Sequence, residues 1–286
     1  MRAIVKSRFV FFITLLSVCA LTQAAESSAL EETSVQAPAR DQLAAATEGY
    51  AEFPKKSASL GYNSVNTTEK AVAMTFDDGP HATNTPRLLD MLKQRNAKAT
   101  FFIVGQCAQE YPAIMKRIVD EGHEIANHSW SHPAFAKMSE SAVRSQIDRT
   151  QDIIRQTTGV TATLLRPPYG SIASSQRNWI TNDMGLKIIM WSVDPLDWKN
   201  RNASMVQSRI VSQAAPGAII LAHDIHKTTV DAMPETLNAL AAKGYKLVTV
   251  SELLAMDQPK AKPTPKPDPN ALPVIKAEPV AAPAAN

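Results

Sequence analysis

Apolar and polar positions alternate between two textures through most of the chain. Short β-prone runs occur at residues 71–76, 99–104, 124–127, 163–166, 186–193, 218–223 and 245–250. Each is followed by a stretch with helical spacing. Thr85-Pro86 opens one, with proline at a first-turn position and Leu88, Leu89 and Leu92 supplying an apolar side. Ser139 is placed to cap another that carries Val143, Ile147 and Ile154 along one face. Further helices are predicted over 108–121, 174–184, 204–214 and 230–243. Repeated strand-then-helix units predict a parallel α/β fold, either a closed barrel or an open doubly wound sheet.

Polar, titratable residues help to choose between them. Asp77 and Asp78 follow the first strand, His128 the third and Arg166 ends the fourth, while Asp194 and His223 end the fifth and sixth. A closed barrel delivers all its carboxyl ends to one face, whereas an open sheet concentrates its site at one switch point. Chemical residues at five strand ends favour the barrel.

The flanks have a different character. Arg2, Lys6 and Arg8 precede a 13-residue apolar run from Phe9 to Leu21, and Thr22-Gln23-Ala24 then precedes Ala25-Glu26. This order predicts a signal peptide over 1–24, since a permanent membrane span needs roughly 20 apolar residues. A retained anchor is the alternative. So is a lipoprotein site at Cys19, against which stands branched Val18 where a small residue is expected. Residues 25–67, rich in Ala, Ser, Thr and Glu, are expected to be a flexible lead-in. The segment from 257 to 286 is expected to be a disordered tail, because eight prolines fall between Pro259 and Asn286. The domain carrying the alternating pattern is placed at 68–256. The expected compartment is periplasmic or secreted, with no stable membrane span once the leader is cleaved.

Composition removes some function classes. Two cysteines in 286 residues exclude a disulfide scaffold, and Cys107 alone lies beyond the leader. The formal charge of +3 is accounted for by the three basic residues of the leader. A neutral body argues against nucleic acid as a partner.

Five short motifs carry the chemistry. In Thr75-Phe76-Asp77-Asp78-Gly79-Pro80, two adjacent carboxylates follow an apolar strand, a costly placement unless a cation or proton shares their charge. In His128-Ser129-Trp130-Ser131-His132, two imidazoles can converge on one metal if the backbone coils once between them, and Pro133 disfavours a helix there. Arg166-Pro167-Pro168-Tyr169-Gly170 leaves its strand rigidly, with an arginine suited to holding a carboxylate. Asp194-Pro195-Leu196-Asp197-Trp198 and Leu221-Ala222-His223-Asp224 complete the set. Singly, each reads as readily as a surface turn, a salt bridge or packing. Their joint occurrence at successive strand ends does not.

With these five motifs in this order, the chain resembles the NodB-type polysaccharide deacetylases, carbohydrate esterase family 4, over roughly residues 68–256. The resemblance implies a distorted (β/α)7-type barrel and metal-dependent removal of acetyl groups from sugar polymers. It implies Asp77 as catalytic base, Asp78, His128 and His132 as metal ligands, and Arg166 as the residue orienting Asp77. It also implies that the Tyr169 backbone N–H faces the oxyanion and that Trp198 and Leu221 wall in the acetyl methyl. His223 would be the general acid, supported by Asp194. Three protein ligands of this kind suit a catalytic divalent ion, zinc first, with cobalt or nickel acceptable. The substrate implied is an N-acetylated polysaccharide outside the cytoplasm, peptidoglycan before chitin oligomers. An O-acetyl esterase acting on xylan and a non-catalytic carbohydrate-binding protein remain alternatives.

Overall fold

A computed structural model describes residues 61–258. The expected signal peptide, most of the lead-in and nearly all of the proline-rich tail lie outside the described residues.

The seven expected strands are present: β1 (Ala71–Asp77), β2 (Thr100–Ile103), β3 (Glu124–Asn127), β4 (Leu164–Leu165), β5 (Lys187–Ile188), β6 (Ile219–Ile220) and β7 (Lys246–Val248). They form one parallel sheet in the order β5-β4-β3-β2-β1-β6, with β7 also paired to β1. The curl closes imperfectly between β5 and β6. At one level Val193 bridges directly to Ile220, and Leu221 N–H donates to Val193 O at 2.9 Å. At another level an N-terminal segment fills the gap. Tyr62 pairs with Ile189, Ser64 with Ala218, and Val65 N–H donates to Gly217 O at 2.9 Å. Residues 61–67, assigned by composition to the lead-in, are therefore part of the barrel, because open strand edges there need backbone partners. At the other end Gln258 N–H donates to Asn66 O at 2.8 Å, which brings 257–258 into the same unit.

Strand periodicity divides the core into layers. On β1, Val72, Met74 and Phe76 pack outward against α1 (Asn84–Gln94) and α7 (Lys227–Ala242), meeting Leu88, Leu89, Leu92 and Leu237. Ala71 and Ala73 face the interior with Phe102, Ala126, Leu164, Ile189 and Ile219. The base of that interior is plugged by α8 (Val250–Ala255), which inserts Val250 and Leu253. Thr249 and Glu252 cap α8 reciprocally, which is why β7 stops at Val248. With a side-chain period of two, the interior row of β1 runs Ala71, Ala73, Thr75, Asp77: small above the plug, polar towards the carboxyl end.

The helix expected over 108–121 is two helices, α2 (Gly105–Glu110) and α3 (Pro112–Asp120). Pro112 lacks an N–H and pushes Tyr111 out of helical geometry (φ −124°, ψ 58°), so the chain breaks there. The remaining helices, α4 (Glu140–Thr158), α5 (Ser174–Asn182) and α6 (Ala203–Gln213), lie close to expectation. The Ser139 side chain accepts from Ala142 N–H as its sequence position suggests, and left-handed Gly159 ends α4.

Gly217 has φ +78°, and a Cβ there would lie 1.9 Å from Val65 O. Gly217→Ala is expected to lower unfolding free energy by more than about 2 kcal/mol, because left-handed backbone alone costs an alanine about 1–2 kcal/mol. Denaturant unfolding measures this; an unchanged midpoint would mean that segment 61–66 does not help close the barrel.

Candidate active site

Period-two alternation carries the interior rows past the strand ends into a cavity of about 360 Å3. Asp77, Asp78, His128 and His132 line one side, and Trp198, Leu221 and His223 another.

Asp77 is the last residue of β1, and its Oδ1 accepts from Arg166 Nη1 at 2.6 Å. Arg166 is completely buried. Its Nη1 also donates to Thr75 Oγ1 at 2.8 Å, its Nε to Ile189 O at 3.2 Å and its Nη2 to Met190 O at 3.0 Å. The guanidinium lies 4.0 Å from the Phe102 ring centroid. Its burial is thus offset by four acceptors and an aromatic face.

Asp78 sits one residue on with φ +74°, and this left-handed turn sends its carboxylate beside rather than behind that of Asp77. His128 follows β3, and its Nδ1 lies 2.7 Å from Arg166 O. A carbonyl can only accept, so Nδ1 carries the hydrogen and the Nε2 lone pair faces the cavity. His128 Nε2 is 3.5 Å from Asp78 Oδ1, and His132 Nε2 is 3.2 Å from the same atom. The two imidazoles converge without the helical coil that the four-residue spacing suggests. Ser129 and His132 both have positive φ, 70° and 60°, and Ser129 Oγ accepts from His132 N–H at 3.0 Å. The loop is held from outside as well: Gly105 and Gln106 N–H donate to Ser129 O and Trp130 O, and Gln146 Oε1 accepts from Trp130 and Ser131 N–H.

The donor atoms of Asp78, His128 and His132 all lie within 4.8 Å of one another. Asp78 Oδ1 is buried and has no hydrogen-bond partner among the described residues. Burial opposes its charge, but the neighbouring His128, with His132 and His223, brings the carboxyl down to about 2. Burial, with the His128 charge adding, lowers the pKa of His132. One anionic oxygen without a partner and two imidazoles suit a divalent cation, so these residues fit a metal site.

Across the cavity, His223 Nδ1 is 2.8 Å from Asp197 Oδ1. Burial alone would lower the imidazole, but the hydrogen bond and charge of Asp197, with the charges of Asp77 and Asp78, push it up to about 9. Asp197 is fully buried and saturated. It also accepts from the backbone N–H of Trp198 and His223 and from Thr229 Oγ1. The expected partner, Asp194, does not support His223. It lines the cavity, and its Oδ1 accepts from Leu196 N–H at 2.7 Å, bracing a turn in which Leu196 has φ +54°. The Asp-x-x-Asp spacing offers two candidates, and only the path of that turn selects the second.

Tyr169 (φ +59°) and Gly170 (φ +63°) form a left-handed pair above the cavity, and the Tyr169 ring meets His132 edge-on with centroids 4.5 Å apart. Leu221 is buried in the wall, while Trp198 and Tyr169 stay exposed at the rim. Pro167 and Trp191, the latter not singled out by sequence, complete the apolar lining. Thr75, also missed, could have been found by counting back two residues from Asp77.

A family model described as polysaccharide deacetylase matches residues 64–189. The peptidoglycan-N-acetylglucosamine deacetylase PgdA of Listeria monocytogenes is 45% identical over 65% of this chain and 39% of its own length. A peptidoglycan-N-acetylglucosamine deacetylase of Bacillus cereus is 41% identical over 64% of this chain and 67% of its own length. The chain belongs to the polysaccharide deacetylase family. The crystal structure of the Bc1960 peptidoglycan N-acetylglucosamine deacetylase, in complex with a substituted N-oxidanyl-benzamide, superimposes with a TM-score of 0.66 at 38% identity. That match covers 70% of this chain and 95% of the other. The chain spans about two fifths of the length of the Listeria relative.

Because Asp197 holds the His223 proton, Asp197→Asn is expected to move the alkaline limb of the rate–pH profile down from near 9 towards 6.5. Asp194→Asn should leave that limb in place. The linked stability runs the same way. The folded pKa lies above the ordinary 6.5, so the stabilisation is complete below 6.5 and lost as pH rises through about 9. Rate–pH profiles of the two variants check this, and a shift in Asp194→Asn alone would reverse the assignment.

Proposed function

We propose that this chain is a metal-dependent N-deacetylase that removes acetyl groups from N-acetylglucosamine residues of an extracytoplasmic polysaccharide, peptidoglycan first. The observation that carries this reading is the convergence of Asp78, His128 and His132, flanked by Asp77 and His223. The peptidoglycan deacetylases among its relatives support the choice of polymer. The leader-like residues 1–24 support a periplasmic or secreted location.

Asp78 and the Nε2 atoms of His128 and His132 would hold the ion, with zinc the best fit to one carboxylate and two imidazoles. A divalent ion there supplies Lewis acidity, making a water easier to deprotonate and a carbonyl easier to attack. Asp77, held by Arg166 and 3.6 Å from His128 Nε2, takes the proton from the attacking water. The acetyl methyl sits against Leu221 and Trp198, which keep bulk water from the acyl carbon. The Tyr169 N–H faces the developing oxyanion, its direction set by the left-handed turn. Collapse of the tetrahedral species breaks the C–N bond, and the amine nitrogen receives its proton from protonated His223. Amide and water become amine and acetate. The high pKa that Asp197 confers keeps this acid loaded at neutral pH.

Mass spectrometry of acetate loss across peptidoglycan fragments, chitin oligomers and acetylated xylan tests the substrate. Loss from the N-acetylglucosamine units of peptidoglycan fragments should be fastest, and loss from acetylated xylan alone would overturn the amide reading. Two substitutions separate base from ligand. Asp77→Asn should retain zinc while lowering kcat by about 100-fold or more. His128→Ala should lose both zinc and turnover. Metal analysis beside a turnover assay measures both, and a near-normal rate in Asp77→Asn would refute the base.

A further inference from the structure

Asp224 is a buried carboxyl that none of the proposed steps uses. It directly follows His223, is 0% exposed, and packs behind the turn that carries Asp77 and Asp78. Its Oδ2 accepts from Thr85 Oγ1 at the start of α1. Thr85 Oγ1 in turn accepts from His81 N–H at 2.7 Å, three residues beyond Asp78. The carboxyl group lies flat against Gly79: a Cβ there would be 2.5 Å from Asp224 Oδ1, 2.8 Å from Oδ2 and 3.0 Å from Cγ. Asp224 Oδ1 itself has no hydrogen-bond partner among the described residues. Gly79 O accepts from Val104 N–H at 3.1 Å on the other side, so the residue after Asp78 is gripped between β2 and Asp224. A second tie runs alongside, from Asn84 Nδ2 to Ile225 O at 3.0 Å.

We infer that Asp224 is a positioning residue which, through its contact with Gly79 and its bond to Thr85, sets the left-handed turn at Asp78 and couples it to the segment bearing His223. The carboxyl acts as a wedge. It is a flat group thin enough to fit under a glycine and anchored at one oxygen by a hydroxyl. Asp78 has φ +74°, a conformation a non-glycine residue keeps only when its surroundings enforce it. From that conformation Asp78 Oδ1 lies 3.5 Å from His128 Nε2 and 3.2 Å from His132 Nε2. The role is one of shape and hydrogen bonding, so the isosteric amide should preserve it while truncation should not. Groups that orient metal ligands commonly change affinity or rate by about 10–100-fold when removed.

The inference takes the Asp78, His128, His132 cluster as a metal site, as the proposed function does, so zinc affinity is read separately from turnover. Full-length wild type, Asp224→Asn and Asp224→Ala are stripped of metal and titrated with zinc against a chromophoric chelator, beside kcat, KM and melting temperature. Asp224→Asn should stay within about threefold of wild type in zinc affinity and kcat. Asp224→Ala should bind zinc about tenfold or more weakly and lose kcat with KM little changed, since the carboxyl does not touch substrate. A lowered melting temperature with wild-type zinc affinity in Asp224→Ala would reduce the residue to packing and overturn the inference. So would an Asp224→Asn as impaired as Asp224→Ala, because charge would then be the operative property. Should Asp224→Ala fail to fold, Thr85→Val removes only the anchoring hydroxyl and should weaken zinc binding in the same direction; unchanged affinity overturns the inference. Wild type that binds zinc but releases no acetate sinks the proposed function and leaves this test standing, whereas wild type that binds no zinc sinks both.

Discussion

The completely buried guanidinium of Arg166 is the interaction on which the site depends. An unpaired charge in that position would be prohibitive, and one carboxylate without its cation equally so. Arg166 meets Thr75 and Asp77 on β1 and the carbonyls of Ile189 and Met190 beyond β5, while its own carbonyl accepts from His128. One residue thus orients a carboxylate through its side chain and an imidazole through its backbone. It does so across the interior of the barrel, where the α8 plug leaves room only near the carboxyl ends of the strands.

Around that centre, backbone strain is concentrated in the loops. Among the described residues the non-glycine positions with positive φ are Asp78, Asn96, Ser129, His132, Tyr169 and Leu196, and all but Asn96 lie in site loops. Each redirects the chain just after a strand, where a continuing strand or a helix would point the next side chain away from the cavity. The surroundings hold these conformations: Gln146 and α2 for the histidine loop, Asp194 for the Leu196 turn, Gly79 packed on Asp224 for Asp78. Strain sustained in this way is common where geometry serves chemistry.

Much of this was legible in the chain itself. Six of the seven strands lie within their expected runs and β1 extends one residue past its own, because period-two apolar segments bounded by polar residues have few other ways to be buried. The donor set of Asp78, His128 and His132 was legible only through the resemblance carried by the five motifs, since two adjacent carboxylates or a pair of histidines read singly as surface groups. The boundary at residue 68 was misplaced. Segment 61–67 joins the barrel through backbone hydrogen bonds, which leave little trace in side-chain pattern. The break at Pro112 follows from the residue alone, because a proline cannot continue the preceding helix.

By itself the sequence determined the number and order of the strands, the alternation of strand and helix, and the residue types able to bind a cation and transfer protons. These are properties of local periodicity and of side-chain chemistry. Tertiary structure decided which of two carboxylates, Asp194 or Asp197, meets His223, how two histidines converge without a helix, and that Asp224 lies under Gly79. Such pairings depend on the path of loops whose left-handed residues are imposed by distant contacts. A side chain four positions away and one a hundred and forty positions away are equally near once the barrel has closed.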